Sequence, residues 1–168
     1  MSEQHSAIGR EYSLFLLKPD AVKAGIVQCV LDRITSGIQG HIRAERVFLM
    51  TPTLLQQHYS HLVRETFFAG IRRFMLSGPV WAAIIEGEAG TIQRIRTLLG
   101  ATDPREAAPG TIRNEFGCVV NGEKHNVAHA SDSQEAAYDE IRRFFTQEQI
   151  CREVPELADR VFGRGKNC

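Results

Sequence analysis

A histidine, His129, comes directly before a segment typical of a helix start, and this combination suits phosphoryl transfer. Ser131, Asp132 and Ser133 are all good N-cap residues, and Ser131 with Gln134 has capping-box spacing. The free N–H groups of a helix N-terminus attract phosphate, and the positive end of the helix dipole favours the neutral, nucleophilic imidazole. The alternative is that His129 is only a capping or solvent-facing residue.

A second set of residues is suited to binding phosphate. Arg96 lies on a predicted helix, Thr102 in the loop after it, and Arg113 at the end of that loop. Guanidinium groups match phosphate oxygens, and a threonine hydroxyl adds a donor. Lys18, at the end of a predicted strand, offers a compact cation. Taken singly, each of these side chains is also explained as an ordinary surface residue.

Three motifs together resemble those of the nucleoside diphosphate kinases. The first is Asn-x-x-His-Ala-Ser-Asp-Ser around His129. The second is Arg-x-Leu-Leu-Gly-Ala-Thr-Asp-Pro followed by Pro-Gly-Thr-Ile-Arg, and the third is Leu-Lys-Pro-Asp around Lys18. The matches follow the family's order from about Tyr12 to Phe145, which is most of the chain.

The resemblance implies a role for each matching residue. His129 would be the phosphorylated histidine, Glu140 would orient its ring, and Ser131 would supply a nearby hydroxyl. The nucleotide would be bound by seven further residues: Lys18 and Asn126 at ribose and phosphate, Arg96, Thr102 and Arg113 at the β- and γ-phosphates, Tyr59 by the phosphates, and Phe67 stacked on the base. Tyr59 and Phe67 also fit the apolar face of a helix, so both have an alternative interpretation as core residues.

The reaction that the resemblance implies is a ping-pong transfer of the γ-phosphate from a nucleoside triphosphate to a nucleoside diphosphate. Mg²⁺ would be held mainly by the nucleotide's phosphates, without a dedicated protein metal site. A homo-oligomer, a tetramer or hexamer, is also implied. The competing hypothesis is a non-catalytic module for nucleotide sensing or assembly, which predicts loss of some of these residues. All of them are present.

Four departures from the family pattern concern details of the site. Ala130 replaces the glycine after the histidine, Thr66 stands where a proline often precedes the phenylalanine pair, and His61 replaces an acidic residue. The segment Val119–His125 is a few residues longer than usual, and we expect it to project from the edge of the site. None of the departures removes a reacting group. Arg113 is expected to act on transfer and to contribute little to folding.

The apolar pattern predicts an α+β fold. Strands are predicted at Tyr12–Leu17, Ile42–Met50, Val80–Ile85 and Phe116–Val120, with helices between and after them. This order is that of the ferredoxin-like split βαβ arrangement, a four-stranded antiparallel sheet with extra helices. The predicted organisation is a loose arm (1–10), a kinase-like domain (11–145) and a C-terminal extension (146–168).

The composition gives no support to a nucleic-acid or membrane partner and indicates the cellular compartment. Twenty basic and twenty acidic residues balance, so the charge supports neither a stable nucleic-acid partner nor a membrane surface. The four cysteines form no Cys-x-x-Cys pair and are expected to be free thiols in a reducing compartment, which indicates the cytoplasm. A P-loop, a Gly-x-Ser-x-Gly motif and metal-ligand spacings of His and Cys are absent from the sequence.

Overall fold

The computed structural model describes residues 9–163 and Cys168, and its elements follow the predicted order of strands and helices as far as Leu99. Along the chain they are β1 (Arg10–Leu17), α1 (Pro19–Lys23), α2 (Val27–Ile38), β2 (His41–Leu49), α3 (Pro52–His58), a 3₁₀ turn (Ser60–Leu62), α4 (Phe68–Met75), β3 (Pro79–Glu88), α5 (Thr91–Leu99), α6 (Ile112–Phe116), β4 (Cys118–Val120), β5 (Glu123–His125), β6 (Ala128–Ala130), α7 (Gln134–Phe144), α8 (Gln147–Glu153) and α9 (Pro155–Phe162).

The central sheet has four antiparallel strands in the order β2-β3-β1-β6, which confirms the predicted fold class. The predicted last strand was wrong, because β4 does not join this sheet. It pairs with β5 in a separate hairpin, closed by Asn121 and Gly122. Both turn residues have positive φ, 49° and 81°, as two-residue hairpin turns favour. The fourth strand is instead β6, whose three residues are too few to show a period.

Each face of the sheet carries its own hydrophobic core. Successive side chains of a strand point to opposite faces, so β1 sends Leu14 and Leu16 into one core and Phe15 and Leu17 into the other. The first core lies under α3, α4, α7, α8 and α9, and the second under α1, α2, α5 and α6. The C-terminal segment therefore packs onto the sheet. None of the helices in residues 9–163 has the length and apolar character to cross a membrane.

Strand β1 begins at Arg10, two residues before the predicted start at Tyr12. Residues 1–8, most of the predicted arm, lie outside the described residues. Arg10 already belongs to β1, opposite Glu88. Its guanidinium forms an ion pair with Glu86, a buried carboxylate that Arg43 also contacts.

Two of the four cysteines are not free, so that expectation was wrong for them. Cys151 on α8 forms a disulfide with Cys168, while Cys29 and Cys118 are exposed thiols. The two bonded residues are 17 positions apart, and the sequence contained no spacing rule that could pair them. The bond ties residue 168 to the helix that closes the first core.

The replacement Cys168→Ser is expected to destabilise the oxidised protein. Closing a loop of about 15 residues stabilises a fold by about 3 kcal/mol, mainly by restricting the unfolded chain. Urea unfolding of the variant should show a loss of about this size, and reductant should remove the same amount from the wild type. Cys29→Ser is the control. Equal stability of wild type and Cys168→Ser without reductant would show that the bond does not constrain the unfolded chain.

Candidate active site

A cavity of about 350 Å³ lies beside β6 and brings together most of the predicted site residues. Eight of the ten line it: Lys18, Tyr59, Arg96, Thr102, Arg113, Asn126, His129 and Glu140. The two others lie elsewhere. Ser131 is fully buried behind the cavity, and Phe67 is 55% exposed outside it. Its three cationic side chains, Lys18, Arg96 and Arg113, outnumber its two carboxylates, so the cavity is suited to an anion.

The position of His129 is set by a strand and not by a helix N-terminus. His129 is the middle residue of β6 and stands opposite Leu16 of β1. Helix α7 begins later, capped by Ser133, whose hydroxyl accepts from the N–H of Ala136. The predicted capping box of Ser131 and Gln134 is therefore wrong, and so is the placement of His129 at the helix start.

The chain reaches β6 through a residue in an unfavourable conformation. Val127 is buried and has φ of 70°, a region that β-branched residues rarely adopt. Its N–H donates to Asp20 Oδ2 at 3.0 Å, and its carbonyl accepts from the N–H of Lys18 at 2.8 Å. The Leu-Lys-Pro-Asp motif therefore fixes the backbone immediately before His129.

Glu140 fixes the tautomer of His129. Its Oε1 lies 2.9 Å from His129 Nε2, and its Oε2 accepts from the Ser131 hydroxyl at 2.5 Å. Ser131 is held in turn, because its oxygen accepts from the N–H of Leu14 at 2.9 Å. An ionised carboxylate only accepts, so the neutral ring carries its proton on Nε2 and keeps a lone pair on Nδ1. The arrangement leaves Nδ1 as the ring nitrogen with a free lone pair.

A short polar network holds Lys18 at the cavity wall. Its Nζ donates to Asn126 Oδ1 at 2.6 Å, and Asn126 Nδ2 donates to the Thr102 carbonyl at 2.8 Å. Burial, together with the smaller effect of the Arg113 charge, lowers the pKa of Lys18 to about 8. Without an anion, the positive charges at this wall disfavour one another.

Arg113 joins two parts of the backbone through three carbonyls. Nε donates to the Asn126 carbonyl at 3.2 Å, Nη1 to the Gly100 carbonyl at 3.0 Å, and Nη2 to the Ala128 carbonyl at 2.7 Å. Three of the five guanidinium N–H groups are used in this way, which leaves two for a ligand. Burial lowers its pKa to about 10. The sequence did not predict this role in holding the backbone.

Arg96 is held differently, by an ion pair with Asp132 at the cavity rim. Both side chains are exposed, so the pair contributes little to stability and can open. Asp132 was a candidate N-cap in the sequence, whereas in the structure it is the carboxylate that occupies Arg96. An entering phosphate would compete with Asp132 for the guanidinium.

His58 is the cavity residue that the sequence missed. Its ring stands at 86° to that of His129, with centroids 4.6 Å apart, and it is only 6% exposed. Arg143 Nη1 lies 3.4 Å from its Nδ1, while the buried Nε2 has no partner among the described residues. Burial, with a smaller contribution from nearby positive groups, lowers the pKa of His58 to about 2, so the ring is neutral. The sequence signal that could have identified it is a histidine within the apolar face of α3.

Tyr59 presents a second unpartnered group to the cavity. Its hydroxyl is buried and has no hydrogen-bond partner among the described residues. Burial raises its pKa well above the ordinary tyrosine value, so the group is a neutral donor. Buried polar groups are normally satisfied, and a bound ligand is one explanation for an orphan in a cavity.

The long segment before Asn126 is the β4–β5 hairpin, and it packs against α4. His125 stacks on Phe74 with ring centroids 4.2 Å apart, and Glu123 forms an ion pair with Arg73. Two of the other departures line the cavity: Ala130, which is buried, and His61, which is exposed. The hairpin does not contribute a residue to the cavity lining.

Comparisons with known proteins give consistent matches over most of the chain. A family model described as nucleoside diphosphate kinase matches residues 11–150. The nucleoside diphosphate kinase of Streptomyces coelicolor is 41% identical over 133 residues, which is 79% of this chain and 94% of that protein. The Streptococcus pneumoniae enzyme is 42% identical over 137 residues, 80% of this chain and 99% of that protein.

Solved structures with the same fold carry the same description. The Aquifex aeolicus nucleoside diphosphate kinase matches with a TM-score of 0.75 and 37% identity, covering 83% of this chain and 98% of that one. A nucleoside diphosphate kinase from Halobacterium salinarum, solved in complex with CDP, matches with a TM-score of 0.74 and 32% identity, covering 83% and 90%.

Arg113→Ala is expected to lower stability as well as function, because the carbonyls of Gly100 and Ala128 lose the guanidinium donor. The Asn126 carbonyl loses it too but still accepts from the N–H of Ala128 at 2.7 Å. A buried group left unsatisfied costs about 1–3 kcal/mol, and a total loss of at least that size should appear in urea unfolding. Arg96→Ala is the matched control from the same cavity and should change stability by about 0.5 kcal/mol or less. Wild-type stability in Arg113→Ala would mean that water replaces the guanidinium at these carbonyls.

Proposed function

The chain belongs to the nucleoside diphosphate kinase family, and from this premise we propose that it transfers a γ-phosphate between nucleotides through phosphorylated His129. The observation that carries the proposal is the series Ser131–Glu140–His129 at the edge of a cationic cavity, which leaves Nδ1 free of protons. The non-catalytic alternative is not favoured, because the residues that it predicts to be lost are present in the sequence and the similar proteins are named as kinases.

In the first half-reaction, His129 Nδ1 attacks the γ-phosphorus of a nucleoside triphosphate. A P–N bond forms as the bond to the β-phosphate oxygen breaks, and the nucleoside diphosphate leaves with that electron pair. The ring becomes positively charged, and the Nε2–H···Oε1 contact to Glu140 stabilises this charge. Ser131 keeps the carboxylate in place through its other oxygen. A second nucleoside diphosphate then reverses the steps.

Phosphate binding is assigned to the cavity walls. Arg96 leaves its ion pair with Asp132 and binds phosphate oxygens instead. Arg113 donates its two remaining N–H groups to the phosphates, and Thr102, which lines the same cavity, adds its hydroxyl. Lys18 and Asn126 act as a joined pair toward ribose and phosphate oxygens. The Tyr59 hydroxyl is an unused donor at the same wall. Fixed positive charge of this kind supplies most of the catalysis in phosphoryl transfer.

Phe67 is proposed to stack on the nucleobase, outside the cavity. Its ring is exposed where it precedes α4, and an exposed aromatic face suits stacking. Every base has a π face, so such a contact discriminates weakly among bases. The phosphate contacts described above do not involve the base at all.

Mg²⁺ is proposed to enter with the nucleotide as part of the substrate. The two carboxylates that line the cavity are both engaged, Glu140 with His129 and Ser131, and Asp132 with Arg96. The described lining therefore offers no cage of free oxygen ligands, which fits a metal held by phosphate oxygens. When bound, Mg²⁺ neutralises charge on the β- and γ-phosphates.

We further propose a homo-oligomer, a tetramer or hexamer, in the cytoplasm. The edge strand β2 exposes Val47 and Leu49 by 60% and 68%, and exposed apolar edges favour association with another chain. The free thiols of Cys29 and Cys118 support a reducing compartment, whereas the disulfide of Cys151 opposes it.

Labelling with γ-labelled ATP and Mg²⁺ tests the nucleophile. The wild type should take up label as an acid-labile, base-stable adduct, and His129→Ala should take up none. Glu140→Gln should slow labelling by about a hundredfold, as expected when general acid–base or charge support is removed. His41→Ala, which changes an exposed histidine on β2, is the control. Label at the wild-type rate in His129→Ala would identify another nucleophile.

Nucleotide binding is expected to take up a proton near pH 8.5. The free protein holds the pKa of Lys18 at about 8, so above this pH the amine becomes neutral. A bound phosphate favours the charged form and raises the pKa again, so affinity falls as the pH rises through about 8. Calorimetry in two buffers of different ionisation enthalpy measures the uptake. Lys18→Arg should abolish it, and no uptake by the wild type would remove Lys18 from the phosphate site.

A further inference from the structure

We propose that His58, His129 and Glu140 form a binding site for a transition-metal ion of the Zn²⁺ class, and that the bound ion blocks phosphorylation of His129. The blocking effect rests on the proposed role of His129, whereas the site itself rests on geometry alone. The site is distinct from the Mg²⁺ that enters with the nucleotide.

The three residues present a suitable donor set at a suitable spacing. One ligand atom from each lies within 4.8 Å of the others. Two imidazole nitrogens and a carboxylate oxygen are typical ligands of Zn²⁺ and Cu²⁺, whereas Mg²⁺ requires oxygen. With bonds of about 2.1 Å, tetrahedral ligand atoms are about 3.4 Å apart. His129 Nε2 and Glu140 Oε1 are already 2.9 Å apart.

His58 is the independent observation that points to a ligand. It is nearly fully buried against His129, and its Nε2 has no hydrogen-bond partner in the described residues. Its low pKa keeps the ring neutral, which is the form that binds metals. Closing the three ligand atoms to metal-bonding distance requires a side-chain shift of about 1.5 Å at most, starting from the 4.8 Å limit.

Positive charge around the site opposes the metal. Arg143 donates toward His58 Nδ1 at 3.4 Å, which favours the proton on Nε2. A metal at Nε2 moves that proton to Nδ1, so Arg143 must turn away. Arg143 and Lys18 both disfavour added positive charge at His58. Arg143 therefore weakens the site, and its removal should strengthen metal binding.

The bound ion would remove the nucleophile without covalent change. It takes the place of the proton between His129 Nε2 and Glu140 Oε1. The neutral imidazole then carries its proton on Nδ1, so no lone pair remains there for the γ-phosphorus. Each of the two imidazoles keeps one proton and shifts it from Nε2 to Nδ1, and no proton is released overall.

The site is tested with the metal alone. Zn²⁺ affinity is measured by calorimetry, and Co²⁺ is used for its visible absorption, in the wild type, His58→Gln, Arg143→Met and His61→Gln. We expect His58→Gln to lose at least about tenfold in affinity and to lose the Co²⁺ band. Arg143→Met should bind more tightly than the wild type. His61→Gln is the matched control, a cavity-lining histidine outside the ligand set.

Wild-type Zn²⁺ affinity in folded His58→Gln would overturn the site, and so would an equal loss in His61→Gln. If His58→Gln fails to fold, Arg143→Met decides, because unchanged or weaker binding there contradicts the geometry. Protein already phosphorylated and freed of nucleotide should bind Zn²⁺ at least about tenfold more weakly.

The blocking effect is tested separately by labelling with ATP and excess Mg²⁺ in the presence of Zn²⁺. Label uptake by the wild type should fall as Zn²⁺ is added. Because Arg143→Met binds Zn²⁺ more tightly, its label uptake should fall at lower Zn²⁺ concentrations than that of the wild type. Undiminished labelling of Zn²⁺-saturated wild type would overturn the blocking effect. Absence of labelling without Zn²⁺ would instead refute the proposed function, while Co²⁺ binding would still decide whether the site exists.

Discussion

The pairing of β6 with β1 is the interaction on which the site depends. The pair extends over only three residues, Phe15 to Leu17 against Ala128 to Ala130, and it holds His129 in its middle. So short a strand at the edge of a sheet has few hydrogen bonds of its own to hold it. Its position is secured from outside, by Asp20 at the N–H of Val127, Arg113 at the Ala128 carbonyl, and Ser131 at the N–H of Leu14.

The same side chains that secure β6 also create the electrostatics of the cavity. Arg113 donates three of its N–H groups to backbone carbonyls and still contributes positive charge to the cavity. Lys18 anchors Val127 through its backbone and Asn126 through its amine. Preorganised charge is therefore available before a nucleotide arrives, because the backbone contacts hold it there. Burial is the main cause of the lowered pKa values of Lys18 and Arg113, and the charge of a neighbouring arginine adds to each, Arg113 beside Lys18 and Arg96 beside Arg113.

The sequence predicted the elements that have a clear period and missed those defined by distant contacts. β1 and β3 contain continuous apolar runs and β2 has an alternating pattern, so their positions were predictable. β6 is too short, and β4 was mistaken for it. Ser131 looked like a helix cap because local spacing cannot show that Leu14 and Glu140 lie beside it. The disulfide and His58 were missed for the same reason, since each is defined by a residue far away in sequence.

The contrast between the two arginines has a consequence for interpreting the sequences of relatives. Arg96 is paired with an exposed carboxylate at the rim, whereas Arg113 holds three backbone carbonyls. In a lineage released from selection for phosphoryl transfer, Arg96 can drift freely while Arg113 is still retained by selection for a folded chain. An intact Arg113 in a divergent homologue is therefore weak evidence of catalysis, and an intact Arg96 is the more informative signature.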